Sequence, residues 1–169
     1  MTPLRTLFLC ATALLAAACV FPDGPSNDEV KTSTGLTVAE AERTLLANLY
    51  AVWPAANPQL TRPIPRTAER IGCRNTASMT SYGPPWWLRA TATQPNPSPE
   101  LIDEVLSRLD AMTAQGFTRQ PPGVVDNHPA DRDYRDARGY TITSDFTPAR
   151  DANTPARLDV TVTSPCAAE

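Results

Sequence analysis

The chain has 169 residues and a net charge of −3 at pH 7, and 41% of its residues are hydrophobic. This length and apolar content suit one domain with a modest core. The acidic balance argues against a basic surface that would hold nucleic acid by its phosphates, so no nucleic-acid partner is expected.

The first feature along the chain is a short positive segment followed by an apolar run. Arg5 and the N-terminal amine precede residues 7–18, a run of twelve residues that are apolar except for Thr12. A transmembrane helix needs about 20 apolar residues, so a run of this length indicates the apolar region of a secretory signal peptide. We therefore predict a signal peptide over residues 1–18. No second long apolar run follows, and the mature chain is not expected to span a membrane.

The end of this run, Leu-Ala-Ala-Ala-Cys at residues 15–19, resembles the lipobox of bacterial lipoproteins, with its leucine one place earlier than usual. In that family the signal is cut before the cysteine and the thiol is acylated. The resemblance implies lipidation of Cys19 and a location on the extracytoplasmic face of the cell membrane. Two acyl chains hold a protein on a bilayer stably. The alternative is a plain secretory signal with an incidental cysteine.

Two of the four cysteines remain once Cys10 leaves with the signal and Cys19 takes lipid. A single remaining pair in an oxidising compartment predicts a disulfide between Cys73 and Cys166. The alternative is a metal-binding or catalytic pair. We disfavour it because the spacing is not CxxC and the sequence has one histidine. No metal and no cofactor is therefore predicted.

Residues 19–36 connect the anchor to the rest of the chain. They are rich in Pro, Gly, Ser, Asp and Thr, a composition typical of disordered linkers. We predict a lipidated N-terminus and flexible tether here, followed by a single α+β domain over residues 37–169. A flexible tether of this length would span about 20–25 Å and lift the domain off the head groups.

Two amphipathic helices are predicted in the domain. Thr37 and the glutamate three residues later form a capping box before a helix over residues 38–52. Ser98 and Pro99 begin the second helix, and Gly116 ends it. We expect both apolar faces to pack in the core. A first helix that lies on a membrane is the alternative, disfavoured because its polar face lacks a set of basic residues.

Alternating apolar and polar residues predict strands at residues 86–93, 140–146 and 158–163. Shorter candidate strands lie at 68–73 and 117–120, whereas residues 121–136 are predicted to be a long loop. The fold class that follows is α+β. We expect a two-layer sandwich with a mainly antiparallel sheet of about four strands and two amphipathic helices on one face. This layout, with a late Ser-Pro-Cys, resembles small actinobacterial lipoproteins.

Trp86 and Trp87 are adjacent on a strand and must therefore point to opposite faces of the sheet. We expect Trp86 in the core and Trp87 beside Arg89 on a polar face open to water, where both would bind a partner. The other members of that face would be Thr91, Thr141, Thr143, Thr161 and Thr163. In the alternative, the proline-rich loop covers Trp87.

A catalytic or metal site is one interpretation of the long loop, because it contains Asp126, His128, Asp131, Asp133 and Asp136. Alternating carboxylates can bind a hard cation, but the glycine and glutamate of an EF-hand loop are missing. His128 would have to serve any Ser-His-Asp triad, yet no GxSxG motif is present. We therefore expect a solvated loop with local ion pairs.

These features together predict a lipid-anchored envelope protein whose domain is non-enzymatic and binds a protein or another envelope component. Three alternatives stay open. The first is a phage-carried lipoprotein that excludes superinfecting phage. The second is a cell-surface hydrolase that uses His128 and nearby carboxylates, and the third is a structural spacer without a ligand.

Overall fold

The computed structural model describes residues 24–122, 128–151 and 153–169. The predicted signal peptide, Cys19 and Asp126 lie outside the described residues. The helices are α1 (Asn27–Ser33), α2 (Val38–Val52) and α3 (Pro99–Ala111), the last followed by a 3-10 turn at Met112–Gln115. The strands are β1 (Glu69–Asn75), β2 (Ser81–Pro95), β3 (Phe117–Arg119), β4 (Arg132–Asp136), β5 (Thr141–Thr147) and β6 (Arg157–Thr163).

All the strands belong to one sheet with the order β1-β2-β6-β5-β4-β3. The first two strands form a hairpin at one edge. Helix α3 then carries the chain across to the other edge, and β3 to β6 return until β6 pairs with β2. Every pairing is antiparallel. The predicted α+β class with an antiparallel sheet is confirmed, but the predicted number of about four strands was wrong, because the sheet has six.

Strand β4 explains part of that error, because it lies inside the segment predicted to be a loop. Its five residues include one apolar side chain, Tyr134, so the alternation that marks a half-buried strand is nearly absent from the sequence. The strand forms because Tyr134, 1% exposed, enters the core while β5 supplies the hydrogen-bonded partner.

Helix α1 lies within residues 19–36, the segment that the sequence predicts to be a lipidated N-terminus and flexible tether. Ser26 and Glu29 form a capping box that begins α1, and the single apolar residue near the middle of the helix, Val30, is only 4% exposed. A polar composition masked this helix, because one buried valine and one cap are too little to stand out in a linker-like segment. Part of the predicted tether is thus a helix that packs through Val30.

The two longer helices begin where the sequence predicts. The Thr37 hydroxyl accepts the amide of Glu40 at 3.3 Å, and the Thr37 amide donates to the Glu40 carboxylate at 3.1 Å. The Ser98 hydroxyl accepts the amide of Leu101 at 3.3 Å. The 3-10 turn extends α3 before Gly116, which adopts the left-handed conformation with φ of +89°.

The core lies between these helices and one face of the sheet. Leu45 and Leu49 of α2 and Leu101 and Leu109 of α3 are fully buried in it. The sheet contributes the side chains Leu88, Ala90, Ala92, Ile142, Leu158, Val160 and Val162. Within the part of the chain that the structure describes, no helix has the length and apolar character needed to cross a bilayer.

Candidate functional site

The face of the sheet opposite the core carries threonines on three neighbouring strands. Each of β2, β5 and β6 contributes two threonines separated by one residue, and this spacing places both side chains on the same face. We call this surface the threonine face and define it by Trp87, Arg89, Thr91, Thr93, Thr141, Thr143, Thr161 and Thr163. All of these residues are at least partly exposed.

The register of the sheet arranges the threonines in rows that cross the strands. Thr161 of β6 lies opposite Thr91 on one side and Thr143 on the other. In the next row, Thr163 lies opposite Arg89 and Thr141. Directly opposed residues of antiparallel strands have their Cβ atoms about 5 Å apart, so the rows form a continuous surface.

Hydrogen bonds between the strands hold these hydroxyls in place. The Oγ1 atoms of Thr91 and Thr161 are 2.9 Å apart, and those of Thr141 and Thr163 are also hydrogen-bonded. The Thr93 hydroxyl donates to Asp159 at 2.6 Å. Each hydroxyl carries one donor and two acceptor positions, so the paired threonines keep acceptor positions for a partner.

Trp87 and Arg89 stand together at one side of the threonine face, on the strand and face that the sequence predicts. The guanidinium carbon of Arg89 lies 5.8 Å from the centre of a Trp87 ring. The same guanidinium donates to the Glu69 carboxylate at 2.8 and 3.2 Å. Both charged side chains are exposed, so this pair adds little stability. Its effect is to hold the guanidinium beside the indole.

Concave sites of a size that suits a small molecule lie away from the threonine face. Two grooves lie elsewhere: one of about 500 Å³ beside Tyr50 and Arg62, and one of about 380 Å³ beside Tyr140. Small ligands bind mostly in such concave sites. No His, Cys, Asp or Glu lines either groove. Among the described residues, the lining of both grooves thus carries hydroxyl, amide and guanidinium groups but no carboxylate, imidazole or thiol.

The hydrolase alternative depends on His128. The imidazole of His128 stabilises the local turn. Its Nδ1 atom accepts the amide of Ala130 at 3.1 Å, and its ring packs on Phe146 with 4.3 Å between centres. Asp131 accepts the main-chain amides of His128 and Phe146 at 3.1 and 2.8 Å. A catalytic aspartate would instead orient the imidazole through a ring nitrogen.

The carboxylates considered as metal ligands are dispersed. Asp136 is 7% exposed and accepts the amides of Arg138 and Tyr140 at 3.0 and 2.9 Å, which shapes the turn between β4 and β5. Asp133 lies opposite Thr143 in the sheet. Among the described residues, no three His, Cys, Asp or Glu side chains are grouped so that they can hold a metal ion.

One polar cluster, formed by the half-exposed Asp110 and the buried Tyr134, was not predicted from the sequence. The Tyr134 hydroxyl donates to Asp110 of α3 at 2.5 Å, and Arg132 donates to the same carboxylate at 2.9 Å. The hydrogen bond from Tyr134 lowers the pKa of Asp110, and burial raises the pKa of Tyr134. The cluster ties α3 to β4. The sequence carries no signal for it, since the residues are 22 and 24 positions apart.

Cys73 and Cys166 are at disulfide distance, with 2.10 Å between their sulfur atoms, and they are the pair that the sequence predicts. The bridge joins the edge strand β1 to the segment after β6. Ala167 in that segment exchanges two main-chain hydrogen bonds with Trp86, at 2.8 and 3.0 Å. The disulfide and these hydrogen bonds thus hold the segment after β6 against the β1–β2 edge of the sheet.

No protein-family model, curated protein or solved structure matches the chain.

Proposed function

We propose that this protein is a lipid-anchored binding protein on the extracytoplasmic face of the cell membrane, and that its threonine face holds a protein of the cell envelope. The observation that supports this proposal is the pairing of Trp87 with Arg89 beside two rows of ordered hydroxyls. These groups lie on the side of the sheet opposite the buried apolar face. The anchor is inferred from the lipobox-like segment that ends at Cys19.

A protein partner fits this surface better than other ligands do. Tryptophan and arginine are enriched among the residues that contribute most to protein–protein affinity. Glu69 already holds the Arg89 guanidinium, so less side-chain entropy is lost on binding. The face is also broad and hydroxyl-rich, which suits the many hydrogen bonds of a protein interface.

A site-specific photocrosslinker tests this proposal in the intact cell. We would place the crosslinker at Thr143 in the threonine face and, as a matched control, at Ala114, which is exposed in the turn after α3. The Thr143 position should give a defined crosslinked product that Ala114 does not give. Trp87→Ala should reduce the amount of that product, whereas Tyr50→Ala, which removes an exposed aromatic elsewhere, should not.

Two results would count against the proposal: the same products from both crosslinker positions, or a Thr143 product that is unchanged by Trp87→Ala. The identity of the crosslinked protein also separates two versions of the function. A component of the phage entry route would favour a superinfection-exclusion protein. A resident envelope protein would favour a host lipoprotein.

A further inference from the structure

The turn between β1 and β2 displays the most exposed large apolar side chain described in the chain. Met79 is 82% exposed and has a φ of +62°, in the left-handed region that side-chain-bearing residues seldom adopt. The turn itself is well ordered by hydrogen bonds. The Met79 amide donates to the carbonyl of Thr76 at 2.9 Å, and the amide of Thr80 donates to the Thr76 hydroxyl at 3.1 Å.

The first described residue, Gly24, lies against this same hairpin. A Cβ atom added at Gly24 would be 2.3 Å from the carbonyl oxygen of Cys73 and 3.3 Å from the Cα of Arg74. Arg74 is paired with Tyr82 close to the turn. At about 3.3 Å per residue along a strand, the turn lies roughly 10 Å beyond the point where Gly24 touches the hairpin.

The chain between the proposed lipid anchor and Gly24 is short. Gly24 follows Cys19 by five positions in the sequence, and an extended chain covers at most about 18 Å over that many residues. The domain is therefore held against the bilayer by the side from which Gly24 emerges. With the hairpin directed towards the membrane, the turn extends roughly 10 Å of the at most about 18 Å between Gly24 and Cys19, so it reaches the head groups when the connection is compact rather than fully extended.

We infer that the tip of the β1–β2 hairpin, Thr76 to Thr80, rests in the head-group region of the bilayer that holds the acyl chains, and that Met79 inserts below it. This inference rests on the proposed lipid anchor. The occupant is the bilayer itself, because the short connection keeps this turn close to it. Thr76, Ser78 and Thr80 lie beside Met79 in the turn; the hydroxyls of Thr76 and Ser78 are hydrogen-bonded to each other at 2.9 Å and keep acceptor positions for water at the head groups.

The side chains next to the turn support the same orientation. Arg74 stacks on Tyr82, with 5.0 Å from its guanidinium carbon to the ring centre. Tyrosine favours the boundary between water and lipid because it joins an apolar ring to a polar tip.

This orientation also leaves the threonine face accessible. Arg89 pairs with Glu69 at the end of β1 that is remote from the turn, roughly 20 Å away along the strand. The turn of the hairpin would thus contact the bilayer, while Trp87 and Arg89 would lie farther from the membrane and be accessible to a partner.

A fluorescent probe on the mature, lipidated protein tests the inference. Met79→Cys and, as a control, Ala114→Cys are each labelled with an environment-sensitive dye, since the native pair Cys73–Cys166 is closed as a disulfide. The proteins are reconstituted on vesicles of phosphatidylcholine and phosphatidylglycerol. We expect a blue-shifted emission at position 79 that lipid-borne quenchers suppress, and water-like emission without quenching at position 114.

The outcomes separate this inference from the anchor on which it rests. Vesicle-bound protein whose probe at position 79 behaves like the probe at position 114 would refute the inserted turn and leave the anchor intact. A blue shift that lipid quenchers do not suppress also refutes it, because the probe would then contact protein. A mature protein that floats with vesicles no better than Cys19→Ser would refute the anchor and the inserted turn together.

Discussion

Removal of the disulfide between Cys73 and Cys166 should destabilise the domain strongly. The bridge closes a loop with a sequence separation of 93 residues. In the chain-entropy model, a loop of this length contributes about 4.6 kcal/mol at 25 °C by restricting the unfolded chain. Domains have a total free energy of unfolding of about 5–15 kcal/mol, so the double variant Cys73→Ala, Cys166→Ala should lie close to the limit of folding.

The structure indicates that this loss should arise mainly in the unfolded state. The segment that carries Cys166 retains its own contacts without the bridge: Ala167 is fully buried and bonded to Trp86, and the Ala168 carbonyl accepts the amide of Val38 at 3.0 Å. The folded sheet should therefore keep its shape, while the reduced unfolded chain gains freedom.

Urea unfolding followed by tryptophan fluorescence measures the effect. With a slope of about 2 kcal/mol per molar urea, the midpoint should fall by about 2 M in the double variant. Reduced wild-type protein serves as the control, because it lacks the cross-link but keeps both side chains. The reasoning is refuted if the reduced protein and the oxidised protein unfold at the same urea concentration, or if only the double variant loses stability.

Two further predictions concern pH and backbone strain. The pKa of Asp110 is lowered from its ordinary value of 3.8, chiefly by the hydrogen bond from Tyr134. The ionised Asp110 carboxylate therefore contributes its full stabilisation at pH values above the unfolded-state pKa. This stabilisation is lost as the pH falls through the lower, folded-state pKa. Tyr134→Phe should therefore reduce the loss of stability between about pH 4 and pH 2, and an acid limb identical to that of wild type in urea titrations would contradict this. Met79→Gly should raise the unfolding free energy by about 1 kcal/mol, because glycine relieves the left-handed conformation at φ of +62°. A lower urea midpoint would show that the turn is not strained at this residue.

The local elements of the fold were accessible from neighbouring residues alone. The caps at Thr37 and Ser98 act within one helical turn, so their sequence signatures are complete in themselves. The alternation around Ile142 and Val160 likewise places their strands and assigns their buried faces. Strand β4 could not be predicted from alternation because Tyr134 is the single apolar residue of the strand. The extended conformation of β4 depends instead on its pairing with β5.

The candidate site also combines features that local sequence predicts with features that depend on the strand order. That Trp87, Arg89 and the threonines share one face follows from alternation along each strand. Which threonines meet across the sheet does not, because β6 enters between β2 and β5 although it is last in the chain. The hydrogen bond between Tyr134 and Asp110 likewise joins a helix to a strand far along the sequence.

The sequence by itself determined the boundaries of α2, the start of α3, the alternation of the main strands and the pairing of Cys73 with Cys166, because each prediction depends on residues within a few positions or on simple counting. Only the tertiary structure decided the order of the strands, the rows of the threonine face and the docking of α1 through Val30. These features depend on contacts between distant segments, whose free energy appears only when the whole core assembles.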